Sequence, residues 1–265
     1  MNDARNAPHY WDGEVEKARS KPADALWYRY MQAIYGEFLA GLAGPLRGPS
    51  LKTDLYEEAV AEHAPLLDLP EPRFGVDIAP AVVAAARDGL RARGATCELV
   101  VADVRRLPFP DDAFGFVLSG STLDHFSDRR DLHAGLSELA RVLAPGGTLA
   151  LTLDNPHNPV LQARRSLGWL SRRRLHPYFV GETLTLREGV EALEALGLEV
   201  RRTSAIAHAP RDPAMRLARR LERRPEPARH DRLIDRLVAF ERLKGAPSRW
   251  RTGYYLAFEA VKRER

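Results

Sequence analysis

Two aspartates close short apolar runs: Asp77 ends Phe74-Gly75-Val76-Asp77, and Asp103 ends Leu99-Val100-Val101-Ala102-Asp103. A third apolar run, Phe114–Leu118, leads into Ser119, Gly120 and Ser121, and then into the pair Asp124 and His125. Parallel strands alternating with helices present all their carboxyl ends along one edge, and open α/β sheets take their ligands there. An acid at the tip of a second strand accepts hydrogen bonds from both hydroxyls of a ribose. The pattern therefore points to a ligand that carries a nucleoside. His125, on the same edge, has the residue type of a general base, with Asp124 as its orienting partner. A purely structural histidine is the competing reading.

Other candidates lie further along the chain. Asn155 and His157 follow an apolar strand, where they face a substrate or simply make the turn that Asn-Pro-His-Asn-Pro favours. His176 and Tyr178 lie on a segment able to fold over the site, and Tyr30 is a polar-tipped member of an aromatic helix. The histidines show no i, i+4 pair and the chain has no C-x-x-C, so no metal centre is expected.

The elements that position these residues read as follows. Residues 10–43 are helical, with Leu26, Tyr30, Ile34 and Phe38 four apart on one stripe, and form an N-terminal cap over 1–50. Strands are expected at Leu51–Leu55, Arg73–Ile78, Thr96–Ala102, Ala113–Ser119, Thr148–Asp154, Leu198–Ile206 and Thr252–Val261. Helices are expected at Tyr56–Leu67, Pro80–Arg93, Arg129–Leu143 and Glu188–Leu196, the third stopped by Ala144-Pro145-Gly146-Gly147. Thus 51–265 is one α/β domain, with a substrate-side segment at 156–185 and a helical insertion at 210–247 before the last strand.

Composition sets bounds. The 265 residues are 45% hydrophobic and 29% charged, ordinary values for a globular protein. The one cysteine, Cys97, fits a reducing compartment, and no signal peptide or membrane span is evident, so a cytoplasmic protein without a membrane role is expected. Only five of the forty basic residues are lysine. A coding bias towards arginine accounts for this, although the clusters at Arg164–Arg165, Arg172–Arg174 and Arg211–Arg251 also suit a phosphorylated or carrier-bound small-molecule substrate. Nucleic acid is disfavoured, because no recognition motif accompanies the arginines. Oligomeric state leaves no signature.

Residues 73–155, with GVDIAPAVVAAAR, VVADVRRLPFPDDAFGFVLSGSTLDHFSD and ELARVLAPGGTLALTLDNP in order, resemble the core of a class I S-adenosylmethionine-dependent methyltransferase. The resemblance implies a Rossmann-like, doubly wound, mostly parallel seven-stranded sheet. It also implies S-adenosylmethionine as cofactor and S-adenosylhomocysteine as product. The large share of chain outside that core, 1–50, 156–185 and 210–247, is expected to wall off a pocket for a small or medium organic acceptor, methylated at oxygen. Carried over by position, Asp77 would bind the ribose, Ile78 would pack on adenine, and Asp103 with Val104 would meet the adenine amino group. Ser119, Gly120 and Ser121 would lie beneath the methionine part.

One motif departs from the family. Related enzymes carry a glycine-rich turn after strand one, whereas no glycine occurs between Gly48 and Gly75 here. Side chains would then replace it, Lys52 pairing with the methionine carboxylate and Asp54 or Glu57 with its ammonium. The rival is an ordinary strand-to-helix junction with solvated charges. Two other readings stay open: a protein of this fold that has lost methyl transfer and serves as a binding module or rearrangement catalyst, and an RNA-modifying methyltransferase.

Overall fold

The computed structural model describes residues 8–20, 24–44, 46–166, 181–224 and 226–264. Seven strands form one sheet: β1 (Ser50–Thr53), β2 (Arg73–Asp77), β3 (Glu98–Val101), β4 (Phe114–Gly120), β5 (Leu143–Asp154), β6 (Leu198–Ile206) and β7 (Tyr255–Lys262). Their spatial order is β3-β2-β1-β4-β5-β7-β6. The first five run parallel, and β7 inserts antiparallel to both β5 and β6. Strand order reverses at β1 and β4, so the chain leaves these neighbours in opposite directions and opens a crevice beyond their carboxyl ends.

Helices α1 (Pro8–Ser20), α2 (Ala25–Ala40), α3 (Tyr56–Val60) and α4 (Pro80–Ala92) come first. They are followed by α5 (Arg129–Val142), α6 (Pro159–Ser166), α7 (Leu186–Ala195), α8 (Arg211–Glu222), α9 (Pro227–Val238) and α10 (Arg249–Thr252). Two buried clusters cover the two faces of the sheet. One gathers α2, α4, α8 and α9, including Trp27, Ile34 and Phe38; the other gathers α5 and α7, including Leu132, Leu136 and Leu193. The expected stripe Leu26, Tyr30, Ile34 and Phe38 is buried along α2. Gly75 lets β2 fit between its neighbours, since a Cβ there would lie 2.6 Å from Leu55 and 2.9 Å from Leu99.

Several boundaries differ from the sequence reading. The single helix expected over 10–43 is two, and Asp24 before α2 takes a left-handed φ of 70°. The helix expected over Tyr56–Leu67 shrinks to one turn and a 3₁₀ turn at Pro65–Asp68, because Pro65 has no N–H to continue a helix and Leu66 gives its N–H to the Glu58 carboxylate. At Ala144–Gly147 the chain does not form a stop between elements. α5 runs directly into β5, which absorbs the extra residues as a register shift opposite Phe114 and Phe116. Thr252 closes α10, so the last strand starts at Tyr255. Among the described residues no helix is long and apolar enough to cross a membrane.

Candidate active site

At the tips of β1, β2 and β3 lies a cleft lined by Asp54, Val76, Asp77, Ile78, Val82, Ala102, Asp103, Val104, His125 and Phe126, among others. Its walls are mostly apolar and its polar groups sit at strand ends. Asp77 uses one oxygen to accept the Leu55 N–H (2.9 Å) and the other to accept the Ala79 N–H (2.9 Å). Each oxygen keeps a lone pair for a ligand hydroxyl. Burial, reinforced by the neighbouring Asp54 charge, pushes the Asp77 carboxyl up to about 7 against the pull of those two N–H groups.

The turn after β1 is built without glycine. Asp54 adopts a left-handed φ of 66°, the conformation a glycine would take with less strain, and its Oδ1 accepts the Tyr56 N–H at 2.8 Å. The N–H groups of Leu55 and Tyr56 are therefore engaged by Asp77 and Asp54. In a glycine-rich turn such groups face the ligand.

Lys52 is buried and its Nζ pairs with Glu58 Oε2 at 2.9 Å, besides donating to the Asp54 carbonyl. Burial works against the ammonium, but Glu58, Glu57 and Asp54 outweigh it and hold the Lys52 pKa above its ordinary value. Two of the three Lys52 N–H donors are thus spent within the protein, which leaves one for a ligand carboxylate. Lys52 lies in the chamber wall, and its charge serves Glu58.

Beyond Asp54 and His125 the cleft opens into a second chamber, walled by Tyr10, Trp11, Trp27, Tyr28, Tyr35 and Tyr255 and bordered by Lys52, Glu57, Gly120, Ser121 and Arg211. It holds roughly 1520 Å³ against 650 Å³ for the cleft, counting space open to solvent, and is the larger of the two spaces. His125 borders both spaces, and Trp11 meets its ring edge-on at 4.9 Å.

Glu57 lies in the chamber. Burial pushes its carboxyl up to about 7, opposed by Lys52 and helped by Glu58 and Asp54. A carboxyl raised on folding contributes most at low pH, and the contribution is lost as pH rises from the unfolded value through about 7. Glu57→Gln is therefore expected to be neutral at pH 4.5 and to stabilise the protein at pH 8 by on the order of 1–2 kcal/mol. Thermal denaturation at the two pH values measures this; equal effects at both would contradict it.

Other expected site residues take structural places. Asp103 spends its carboxylate on Arg105, with Nη2 at 2.5 Å, and Arg105 also reaches Asp131 at 3.0 Å. Burial pulls the other way, yet the Arg105 guanidinium and N–H hold the Asp103 pKa below its ordinary value. Val104 and Ile78 line the cleft. Ser119 is fully buried and accepts from Thr53 Oγ1 at 3.0 Å, so its hydroxyl faces the sheet rather than the cleft.

Asp124 does not orient His125. Its oxygens accept from Ser121 Oγ (2.9 Å) and the Asp154 N–H (2.7 Å), tying the turn after β4 to the end of β5. Tyr30 lies in the core beneath α2, and its hydroxyl donates to Glu241 at 3.1 Å. Asn155 is buried and donates to the carbonyls of Trp250 and Gly253, both at 2.9 Å, while its Oδ1 accepts the His157 N–H. His157 borders a shallow groove with Thr185 and Trp250, apart from the chamber. His176 and Tyr178 lie outside the described residues, as do Arg172–Arg174. Arg164 reaches Asp212 at 2.5 Å and the Tyr254 hydroxyl at 2.9 Å. No group of three metal-ligating side chains occurs among the described residues.

The sequence reading missed Trp11, Tyr35, Tyr56 and Tyr255. Aromatic side chains on amphipathic elements are ordinary core material, and nothing in spacing alone marks those that border a cavity.

Residues 59–151 match a family described as a methyltransferase domain. A demethylmenaquinone methyltransferase of Thermus thermophilus is 42% identical over 85 residues, 32% of this chain and 37% of that protein. Its counterpart from Deinococcus radiodurans is 33% identical over 145 residues, 55% of each. The chain thus spans between about a third and about half the length of these curated relatives. Among solved structures, the complex between the Haloferax volcanii Trm112 methyltransferase activator and a methyltransferase is similar over 99% of both chains, with a TM-score of 0.58 and 21% identity. That likeness bears on the fold alone, a seven-stranded, mostly parallel α/β sheet.

Proposed function

We propose that this chain, whose residues 59–151 carry a methyltransferase domain, transfers the methyl group of S-adenosylmethionine to a small or medium organic acceptor, at oxygen. The single observation that carries this reading is the apolar cleft at the strand tips, with the half-free Asp77 carboxylate at its base and a larger aromatic chamber beyond it. The nucleoside half of the cofactor fits the residues present: Asp77 for the ribose hydroxyls, with Ile78, Val104 and Phe126 against the base. Asp103 offers the adenine amino group only the lone-pair capacity that Arg105 leaves. For the amino-acid half, Asp54 at the junction of cleft and chamber takes the ammonium.

When bound, the cofactor supplies an electrophilic methyl on a sulfonium centre. The chain's own part is alignment and exclusion of water, effects that can contribute about 7–11 kcal/mol to such a step. Aromatic walls supply the exclusion. His125, bordering both spaces, is placed to take the proton of an acceptor hydroxyl, a service worth typically about 10²–10⁴-fold. The lone cysteine, Cys97, supports a cytoplasmic setting.

A second reading has one observation in its favour. With the Leu55 and Tyr56 N–H groups and Lys52 all engaged within the protein, the amino-acid half of the cofactor finds fewer donors than a glycine-rich turn supplies. A protein that binds without transferring methyl would follow. Isothermal titration with S-adenosylmethionine and S-adenosylhomocysteine tests both readings. Micromolar or tighter binding of each supports the first. Tight binding of adenosine with no further gain from the amino-acid tail supports the second, and no heat with any of them removes both.

A further inference from the structure

The chamber has a second way in. A groove between α2 and the segment 56–68 leads from solvent to the chamber, and the two share Tyr28, Tyr35, Glu57, Pro65 and Leu118. None of these five borders the nucleoside cleft, which shares Trp11, Asp54, Tyr56 and His125 with the chamber instead. The chamber therefore has a cleft end and a groove end, and Glu57 stands at the groove end.

The Glu57 carboxylate makes no hydrogen bond or ion pair with any described side chain or backbone group. Glu57 is half-buried and lines both the groove and the chamber, so its carboxylate can be reached by a ligand from either side. The nearby cations are committed. Lys52 is held by Glu58, and Arg29 in the groove pairs with Asp231 at 2.8 Å. Arg211, across the chamber, lies over the rings of Trp27 (5.7 Å) and Tyr254 (5.1 Å). The groove further carries Glu62, and Asp68 paired with His63 at 2.7 Å. The path to the chamber is thus negative on balance, and its inner end sets one open carboxylate beside two phenol rings. That combination recognises an organic cation, by charge at the carboxylate and by the negative faces of the rings.

We propose that the acceptor carries a protonated amine, and that this amine is seated on Glu57 between Tyr28 and Tyr35 after entering through the groove. The inference rests on the functional reading above for the word acceptor alone. It also agrees with methylation at oxygen: an ammonium held by a carboxylate has no lone pair to attack with, which leaves a hydroxyl directed to His125.

The full chain, with and without S-adenosylhomocysteine, would be titrated calorimetrically at pH 8 with 2-phenylethylamine, 2-phenylethanol and phenylacetate, which share a ring and differ in charge. The amine is expected to bind at least tenfold more tightly than the alcohol, and phenylacetate most weakly. Glu57→Gln, expected to fold at least as well as the wild type, should cut amine affinity at least tenfold and leave alcohol and S-adenosylhomocysteine affinities within threefold. Amine and alcohol binding equally, no heat with millimolar amine, or phenylacetate binding best because Arg211 governs the chamber would each overturn the proposal. So would a tenfold loss of S-adenosylhomocysteine affinity in Glu57→Gln, since Glu57 would then hold the cofactor's own ammonium. The wild-type comparison needs no variant. If S-adenosylhomocysteine fails to bind, the methyl-donor reading falls, while the amine preference is still decided by the titrations without it.

Discussion

Asp77→Ala is expected to weaken S-adenosylhomocysteine binding at least 100-fold. Two ribose hydroxyls on an ionised carboxylate form charge-assisted hydrogen bonds worth about 1.5–3 kcal/mol each, and about 1.4 kcal/mol is tenfold in affinity. The same carboxylate accepts the Leu55 and Ala79 N–H groups, so removing it also loosens the turn that carries Asp54. Asp77→Asn keeps the shape and one acceptor oxygen but turns its N–H₂ towards either the Leu55 or the Ala79 N–H, so its loss should fall between wild type and Asp77→Ala, at least about tenfold.

A pH series gives an independent check on wild-type protein. Burial and Asp54 raise the Asp77 carboxyl to about 7, so below that value the group is protonated and one oxygen is a donor. Hydroxyl donors favour the ionised form, so affinity should rise with pH through about 7 and then level off. Affinity independent of pH between 5.5 and 8.5, or an Asp77→Ala variant that binds within threefold of wild type, would show that the ribose lies elsewhere.

The second large effect concerns stability. Lys52 and Glu58 form an ion pair whose side chains are 6% and 0% exposed. Glu58 also accepts the Leu66 N–H at 2.9 Å, and Lys52 donates to the Asp54 carbonyl, so the pair ties β1 to the 3₁₀ turn and to the turn that follows β1. Removing one member leaves the other buried and charged, which costs about 3–5 kcal/mol. Lys52→Ala should therefore lower the midpoint of urea unfolding sharply. The double variant Lys52→Met/Glu58→Leu should recover much of the loss, because a buried pair replaced by apolar groups of similar volume is often near neutral. Lys52→Ala unfolding like the wild type would show that the lysine is not needed to neutralise Glu58.

The sheet was legible because its strands are short, apolar and punctuated. Val76, Leu99, Val117 and Leu151 are buried in successive parallel strands, and a run of that kind reads the same in sequence and in space. That Asp77 and Asp103 border one cleft was legible for a related reason, since each ends or follows an apolar strand of the parallel sheet. What sequence hid was which polar groups were already spoken for. Lys52 and Glu58 are six residues apart, but their pairing depends on β1 lying beside a 3₁₀ turn that Pro65 forces. Asp103 is satisfied by Arg105 two residues away, an i, i+2 contact that no helical or strand periodicity signals. Tyr28 and Tyr30 differ in sequence by two positions and in fate completely. In α2 that offset is about 200°, which turns Tyr30 into the core and Tyr28 towards the chamber.

The left-handed backbone at Asp54 bears on how readily such a site changes its chemistry in evolution. A glycine codon lies one base from an aspartate codon, and Asp54→Gly would preserve the path of the chain while releasing the Tyr56 amide and deleting a fixed anion. A seat that recruits a guest through main-chain dipoles and one that uses a carboxylate would thus lie a single base change apart.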